Sequence, residues 1–520
     1  MAQAAKGRRD LLILLAILCV AAVLRLWDVT MPLVDVYSWR QASTAMMADN
    51  FAQSSWNIFY PEVNWTGPGP GYQGREFQVL SYLTAILHVI FGWHDWFGRA
   101  VAAAFGLLTT FAVHRLTAEV WDMRHAHLAA LGYAILPGAV VIESSFLPDP
   151  PMLAFVTLGL WLFLRYWTGR AGVLTLILAT ALFTLGVLCK LPGIGAGLVV
   201  VWLLAQAVAG GRGAGHRGQV LPVLLCMGVG LLVVYAYYSW ALYLSRTYPP
   251  FHMAGDGYIW QDGLRYYLDN AFFSEKLWKF STRWFYGVPI IVTVAVGLWA
   301  ALPRFDGDRA LRHLPHVWLA AGVLLYLVAA RQIANNPWNL HMVHVPVAMF
   351  MARGALVLAR LGAGVSRQGR TLRLIALAGL CLIFVTRPLM ENQRWSFSES
   401  ARQMGVALAA LSQPGDLVIA ASPDLGDPVG IYYSRRKGWL FPPYGDWEVT
   451  ILPETEAEAI ALLEDLRAQG AGWFGASRDA RDRRGRYVIA DQPELMAHLD
   501  ATATLMADTD RYVIYRLSAE

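Results

Sequence analysis

The chain has 520 residues, of which 56% are hydrophobic and only 15% charged, with 21 Trp and a formal net charge of +5. Soluble globular domains carry about 25% charged residues, so this composition argues against an ordinary soluble enzyme and for a protein built into a bilayer. The small net charge gives no footprint for nucleic acid, and the four cysteines, Cys19, Cys189, Cys226 and Cys381, sit in or beside apolar runs without a CxxC pair, suggesting neither a zinc site nor a disulfide framework.

The N-terminal stretch "KGRRDLLILLAILCVAAVLRLWD" has a basic start and an apolar core. No small-residue cleavage site follows, so it reads as a first spanning helix and not as a removable leader. Crossing a bilayer takes roughly 20 apolar residues. Runs of this kind recur at 11–27, 98–118, 126–145, 150–168, 173–189, 191–209, 219–245, 284–302, 314–333, 340–361 and 371–390, which predicts eleven transmembrane helices. "KLPG" splits the long run 173–209 and reads as a tight turn. The shorter run "FQVLSYLTAILHVIFG" (77–92) reads as a segment lying along the interface.

Lys and Arg in short loops set orientation. With the N-terminus inside, the inner segments hold seventeen of them, whereas the short outer connections at 146–149, 190 and 334–339 hold Lys190 alone. An odd number of spans then puts the C-terminus outside. This orientation gathers the polar oddities on the outer face: loop 28–97, "SSFLPDPP", "CKLPG", loop 246–283 and "ANNPWNLH".

From about Glu391 the chain changes character. "SESARQMGVALAALSQPGD" and "PETEAEAIALLEDLRAQGA" read as helices, and "DLVIAAS", "GWFGAS" and "RYVIYRL" as strands. The expectation is a membrane domain over 1–390 and a small extracytoplasmic α/β domain over 391–520.

Charged groups at the edge of a bilayer are costly and need an account. Asp35, in "PLVDVYSWRQAST", either simply ends the first span or serves as a general base. Asp149, in "FLPDPPML", is either a turn residue before a proline-initiated helix or a second acid at the same face. A carboxylate in either place could also hold a divalent cation, Mg or Mn, beside an oxyanion. Lys190 follows seventeen residues without a charge; it either snorkels or meets a phosphate, and Arg40 could supply a second, forked cation. Gln41 lies beside Arg40. In loop 246–283, His252, Asp256 and Asp262 are candidate sugar ligands among aromatics that would equally serve as interfacial anchors. His341 and His344 are spaced i, i+3 in "NLHMVHVP", a pattern more often structural than metal-binding.

The ordered set "DVYSWRQASTAMMADNF", "FYPEVNW" and "GYQGREFQVLSYLTAILHVIFGWHDWFGRAVAA", followed by "LPDPPM" and "CKLPG", resembles the membrane glycosyltransferases of the GT-C type, the group of protein O-mannosyltransferases and lipid A aminoarabinose transferases, in its bacterial branch. The resemblance covers roughly residues 10–350. It implies a polyprenyl-phosphate-linked sugar donor and a lipid, glycan or protein acceptor of the cell envelope. Asp35 would be the catalytic base or its orienter, Asp149 would assist, and Arg40 and Lys190 would hold the donor phosphate. Glu76 stands in "REF" where the aminoarabinose branch has a lysine. The expected function is therefore an inverting glycosyltransferase at the outer face of a bacterial cytoplasmic membrane. The competing expectation, a transporter of lipid-linked saccharide, calls for internal repeats that the sequence does not display. A membrane scaffold whose α/β tail recruits a partner is the third reading, and "SPDLGDPVGIYYSRRKGW" within that tail is either a structural loop or an acceptor contact.

Overall fold

The computed structural model describes residues 2–209, 216–251, 260, 263, 265–269, 271–279, 285–300, 309–330, 333, 336–362, 364–394, 397–422, 426–442, 453–478 and 489–517. In chain order the helices begin with α1 (Ala2–Leu26), α2 (Ser38–Gln53), α3 (Val79–Phe91), α4 (Trp96–Val120), α5 (Met123–Ala134), α6 (Pro137–Glu143), α7 (Asp149–Trp167), α8 (Val173–Cys189), α9 (Leu198–Val208) and α10 (Arg217–Thr247). Apolar helices Val288–Ala300, Leu314–Val328, His344–Arg360 and Arg367–Arg394 come later. Each of the eleven predicted runs contains a helix, but they are not eleven uniform spans. Among the described residues, five helical segments are long and apolar enough to cross a membrane, and the α5–α6 pair, bent by 59°, is either a broken sixth span or a re-entrant loop. Helix α8 and helices Val288–Ala300 and Leu314–Val328 are apolar but shorter.

Local chemistry explains where these helices start and break. Asp122 caps α5 by accepting from the Arg124 and His125 amides. Pro137 opens α6, and its missing N–H separates α5 from α6. Asp149 opens α7 ahead of Pro150 and Pro151, which can occupy a first turn because its amides have no intrahelical partner. The "KLPG" break is a 3-10 segment, Leu191–Gly197, entered through an extended Lys190. Helix α3 has 13 residues, about 20 Å at 1.5 Å per residue, too short to cross by itself.

The chain divides into two compact units. The first comprises Met1–Val29, Arg99–Tyr237 and Gly255–Glu391. In it α1 packs on α5, α7 on α8, and helix Val288–Ala300 on His344–Arg360. The last pair meets at glycines: a Cβ on Gly297 would lie 1.8 Å from the Phe350 carbonyl oxygen, and one on Gly354 would lie 1.8 Å from that of Thr293. Small residues at such crossings let backbones approach where the hydrophobic effect gives helices no drive to associate.

The second unit comprises Thr30–Gly98, Tyr238–Ala254 and Asn392–Glu520. Its five-stranded sheet has the order β2-β1-β3-β5-β4, with β1 (Leu417–Ala421), β2 (Gly438–Phe441), β3 (Ala471–Ser477), β4 (Thr504–Asp508) and β5 (Tyr512–Arg516). Strands β2, β1 and β3 run parallel; β5 and β4 are added antiparallel. The expected strands are β1, β3 and β5. Ile419, Phe474, Leu463, Leu495 and Val513 share the buried core beneath helices Glu456–Ala468 and Pro493–Thr502. The free edge of β2 is taken up by the segment after α2: the Gly67 amide donates to the Gly438 carbonyl (2.7 Å), and the Gly438 amide donates to that of Asn64 (2.9 Å). Lys437 adds an ion pair to Glu62 at 2.7 Å. A sheet edge that would otherwise invite another chain is thereby covered.

Candidate functional site

In the second unit, Asp35 lies in the turn that leads into α2, and it is buried. Its Oδ1 accepts from the Tyr37 amide at 2.8 Å and from Gln41 Nε2 at 2.7 Å, while its carbonyl accepts from the Ser38 amide at 2.9 Å. An Asp that bonds the backbone two residues on is the usual way such a turn is fixed. One helical turn later, Gln41 returns its carboxamide to the same oxygen. Helix α2 buries polar side chains along its length, among them Gln41, Ser43, Thr44, Asp49 and Asn50, as a helix does when it lines other polar groups and not a hydrocarbon core. Arg40 Nη2 pairs with Glu76 Oε2 at 2.6 Å, so the structure joins two of the sequence-derived candidates directly.

In the first unit, Lys190 Nζ donates to both carboxylate oxygens of Asp149, each at 2.8 Å. Both side chains are buried, Asp149 completely. The candidates after α8 and at the head of α7 thus form one ion pair. Charges at the ends of apolar helices are expensive unless paired, and here each meets the other.

His341 lies in a cluster that the sequence did not single out. Glu143, at the end of α6, is completely buried. Its Oε2 accepts from Arg25 Nε at 2.7 Å and lies 2.6 Å from Arg25 Nη2, and its Oε1 accepts from the Tyr133 hydroxyl at 2.5 Å. His341 Nε2 is 3.3 Å from Oε1, and the His341 and His344 Nδ1 atoms are 3.0 Å apart. Arg25 also donates to the Ala134 carbonyl at 3.0 Å. Only five residues lie between Glu143 and Asp149 along the chain, so the cluster anchors the base of the connection that carries Asp149. Its signal was visible: Arg25 and Glu143 are ionisable residues inside predicted spans.

His252, Asp256 and Asp262 lie outside the described residues. Among the described residues, no three or more His, Cys, Asp or Glu side chains gather so as to hold a metal ion.

Comparison with known proteins adds two kinds of finding. Residues 78–240 match the model of the dolichyl-phosphate-mannose-protein mannosyltransferase family. The whole chain superimposes on ArnT from Cupriavidus metallidurans in the apo state, with TM-score 0.63 and 15% identity over 99% of both chains. The fold is of the GT-C type. The undecaprenyl phosphate-bound form of the same ArnT matches with TM-score 0.62 and 14% identity, covering 97% of this chain and 98% of that one. The oligosaccharyltransferase AglB from Archaeoglobus fulgidus, in complex with an inhibitory peptide and a dolichol-phosphate, shares the GT-C fold at TM-score 0.60 and 13% identity, covering 97% of this chain and 74% of that one. Curated sequences give no significant match. The GT-C fold accounts for a helical membrane body joined to a small α/β sheet, which composition alone did not require.

Proposed function

We infer that this protein is an inverting glycosyltransferase that moves a sugar from a polyprenyl-phosphate donor to a lipid, glycan or protein acceptor at the outer face of a bacterial cytoplasmic membrane. The observation that carries the reading is the buried Lys190–Asp149 pair, an ammonium held at the end of an apolar helix by a carboxylate. It is supported by the GT-C fold and by a mannosyltransferase-family match over residues 78–240. The bias of Lys and Arg toward one set of loops supports an inside N-terminus.

In this reading the acceptor hydroxyl attacks the anomeric carbon from the face opposite the phosphate. Its proton passes to Asp35. The anomeric C–O bond breaks, and its electron pair leaves with the polyprenyl phosphate. Lys190 stabilises the charge that collects on the departing oxygen, with Asp149 fixing the ammonium in place, and Arg40 contributes a second cation oriented by Glu76. Gln41 and the Tyr37 amide hold Asp35 in one rotamer. Removing one such stabilising donor from an enzyme typically costs about 10²–10³-fold in rate. The polyprenyl tail stays among the helices, since it gains nothing by leaving hydrocarbon.

The test uses purified protein in lipid nanodiscs with undecaprenyl-phosphate-linked sugars as donors. Asp35→Asn is expected to abolish most transfer, and Asp149→Asn and Lys190→Ala to weaken donor use more than acceptor use. Full activity in both acid variants would overturn the assignment. Mass spectrometry of co-purifying lipid should find a polyprenyl phosphate. Transfer-free translocation of an intact lipid-linked sugar by the unmodified protein would favour a transporter instead.

A further inference from the structure

The α/β portion of the second unit does more than cover a surface, because it grips the turn that carries Asp35 from both sides. Before the acid, the Leu33 amide donates to the Tyr433 hydroxyl at 2.9 Å, and the Val34 carbonyl accepts from the Ser398 amide at 3.3 Å. After it, Ser38 Oγ lies 3.1 Å from Ser398 Oγ. Leu33, Val34, Ser38 and Ser398 are all buried.

Each grip ends on a carboxylate. The Tyr433 hydroxyl accepts from the Leu33 N–H and donates its own hydrogen bond to Asp95 Oδ2 at 3.0 Å; the Tyr432 hydroxyl donates to Asp95 Oδ1 at the same distance. Ser398 Oγ donates to Asp427 Oδ2 at 2.8 Å, so the hydroxyl between them obliges Ser38 to donate to Ser398. Asp427 Oδ1 accepts from the Val429 amide at 2.9 Å, which ties the chain to the start of helix Val429–Ser434. The Trp39 side chain is a further partner of Asp427. Two hydrogen-bond chains thus run outward from residues 33 and 38, three residues on from Asp35 in one case and two before it in the other. Chains of this kind polarise one another and hold a single geometry.

We propose that Tyr433 and Asp427 are positioning residues for Asp35, and that the α/β domain is thereby a working part of the transferase and not a separate recruiting module. The proposal rests on the reading of Asp35 as the base. It assigns a role to "GDPVGIYYS" (426–434) that neither acceptor contact nor loop filling describes.

The experiment measures amide hydrogen exchange across 33–41 and steady-state transfer for the full chain in nanodiscs. Tyr433→Phe and Asp427→Ala should speed exchange in this segment and lower kcat about tenfold each, the order expected for losing one buried hydrogen bond, with the KM for the undecaprenyl-phosphate-linked donor within twofold. Asp427→Asn should restore most of the rate, because its Nδ2 can donate to Ser398 and simply reverse the direction of that chain. The control is Tyr515→Phe, which deletes a comparable hydroxyl bonded to Asp500 at 2.6 Å in the same sheet. It should leave both readouts unchanged. Unaltered exchange at 33–41 in Tyr433→Phe and Asp427→Ala would overturn the grip. Faster exchange with unchanged kcat would overturn its catalytic role, as would an equal loss of kcat in Tyr515→Phe. Asp35→Asn measured alongside separates the two layers: full activity there defeats the base assignment, while the exchange data still judge the grip.

Discussion

Asp35 and Asp427, in the second unit, are held differently from Glu143 and Asp149 in the first. In the first, Glu143 meets the guanidinium of Arg25, and Asp149 meets the ammonium of Lys190. In the second, amides, a carboxamide, hydroxyls and an indole hold Asp35 and Asp427. The second unit has ion pairs as well: Arg40–Glu76 is largely buried, and Glu62–Lys437 keeps its lysine about a third exposed. Among hydrocarbon, a carboxylate must carry its counter-charge with it. Under the proposed mechanism the contrast matches the roles: the acid on the ammonium orients it, and the acid held by neutral groups receives the acceptor proton.

The sharpest way to break this contrast is to neutralise each acid in turn. Asp35→Asn should lower kcat by about 10²–10⁴-fold, the usual worth of a general base, with donor KM nearly unchanged. Asp149→Asn should act chiefly on donor KM. Exchanged phenotypes in steady-state kinetics would reverse the assignment.

Next in size is the buried network. Glu143→Ala leaves Arg25 uncompensated and should destabilise the protein by about 3–5 kcal/mol, read as a fall in thermal midpoint in detergent or nanodiscs. The double change Arg25→Met with Glu143→Leu should be milder than Glu143→Ala alone, since it removes the desolvation cost together with the attraction. A double variant worse than the single would mean that the pair is valued for more than its charge balance.

Lys190→Ala should reduce kcat/KM for the donor by about 10²–10³-fold, and Lys190→Arg should recover part of it. Equal loss against donor and acceptor concentration would remove the phosphate role.

The smallest effect expected is a pH dependence of the second unit. Burial pushes the Asp427 carboxyl up to about 6, against hydrogen bonds from Val429, Ser398 and Trp39 that pull the other way. Burial likewise raises Asp95, opposed by the hydroxyls of Tyr433 and Tyr432 and by Arg435. A group whose native pKa lies above its unfolded value of about 3.9 favours the native state fully below that value. This contribution is lost as the pH climbs through the native pKa. The thermal midpoint should therefore fall between about pH 4 and pH 6 on this account, and Asp427→Asn should flatten that fall. A slope unchanged by the substitution would show that other groups dominate.

Much of this was legible in the chain. Composition, the spacing of apolar runs and the proline punctuation fixed a helical membrane protein, because hydrocarbon tolerates only segments that satisfy their own backbone. Short apolar runs marked β1 and β3, and alternation marked β5. Strand β2 escaped, since "GWLF" sits in a loop-rich stretch and becomes a strand only by pairing with β1 and with the segment near Gly67. Strand β4 escaped for a similar reason: its side chains are largely exposed, so no burial pattern marked it. Asp35, Asp149, Arg40 and Lys190 stood out because isolated charges beside apolar runs are costly. Their partners did not. The pairing of Lys190 with Asp149, of Arg25 with Glu143 and of Leu33 with Tyr433 spans 41, 118 and 400 residues of chain. The sequence by itself determined which groups would be expensive to bury; only the tertiary structure decided which neighbour meets that cost, because hydrogen bonds and ion pairs act over a few ångströms of space and carry no record of their separation along the chain.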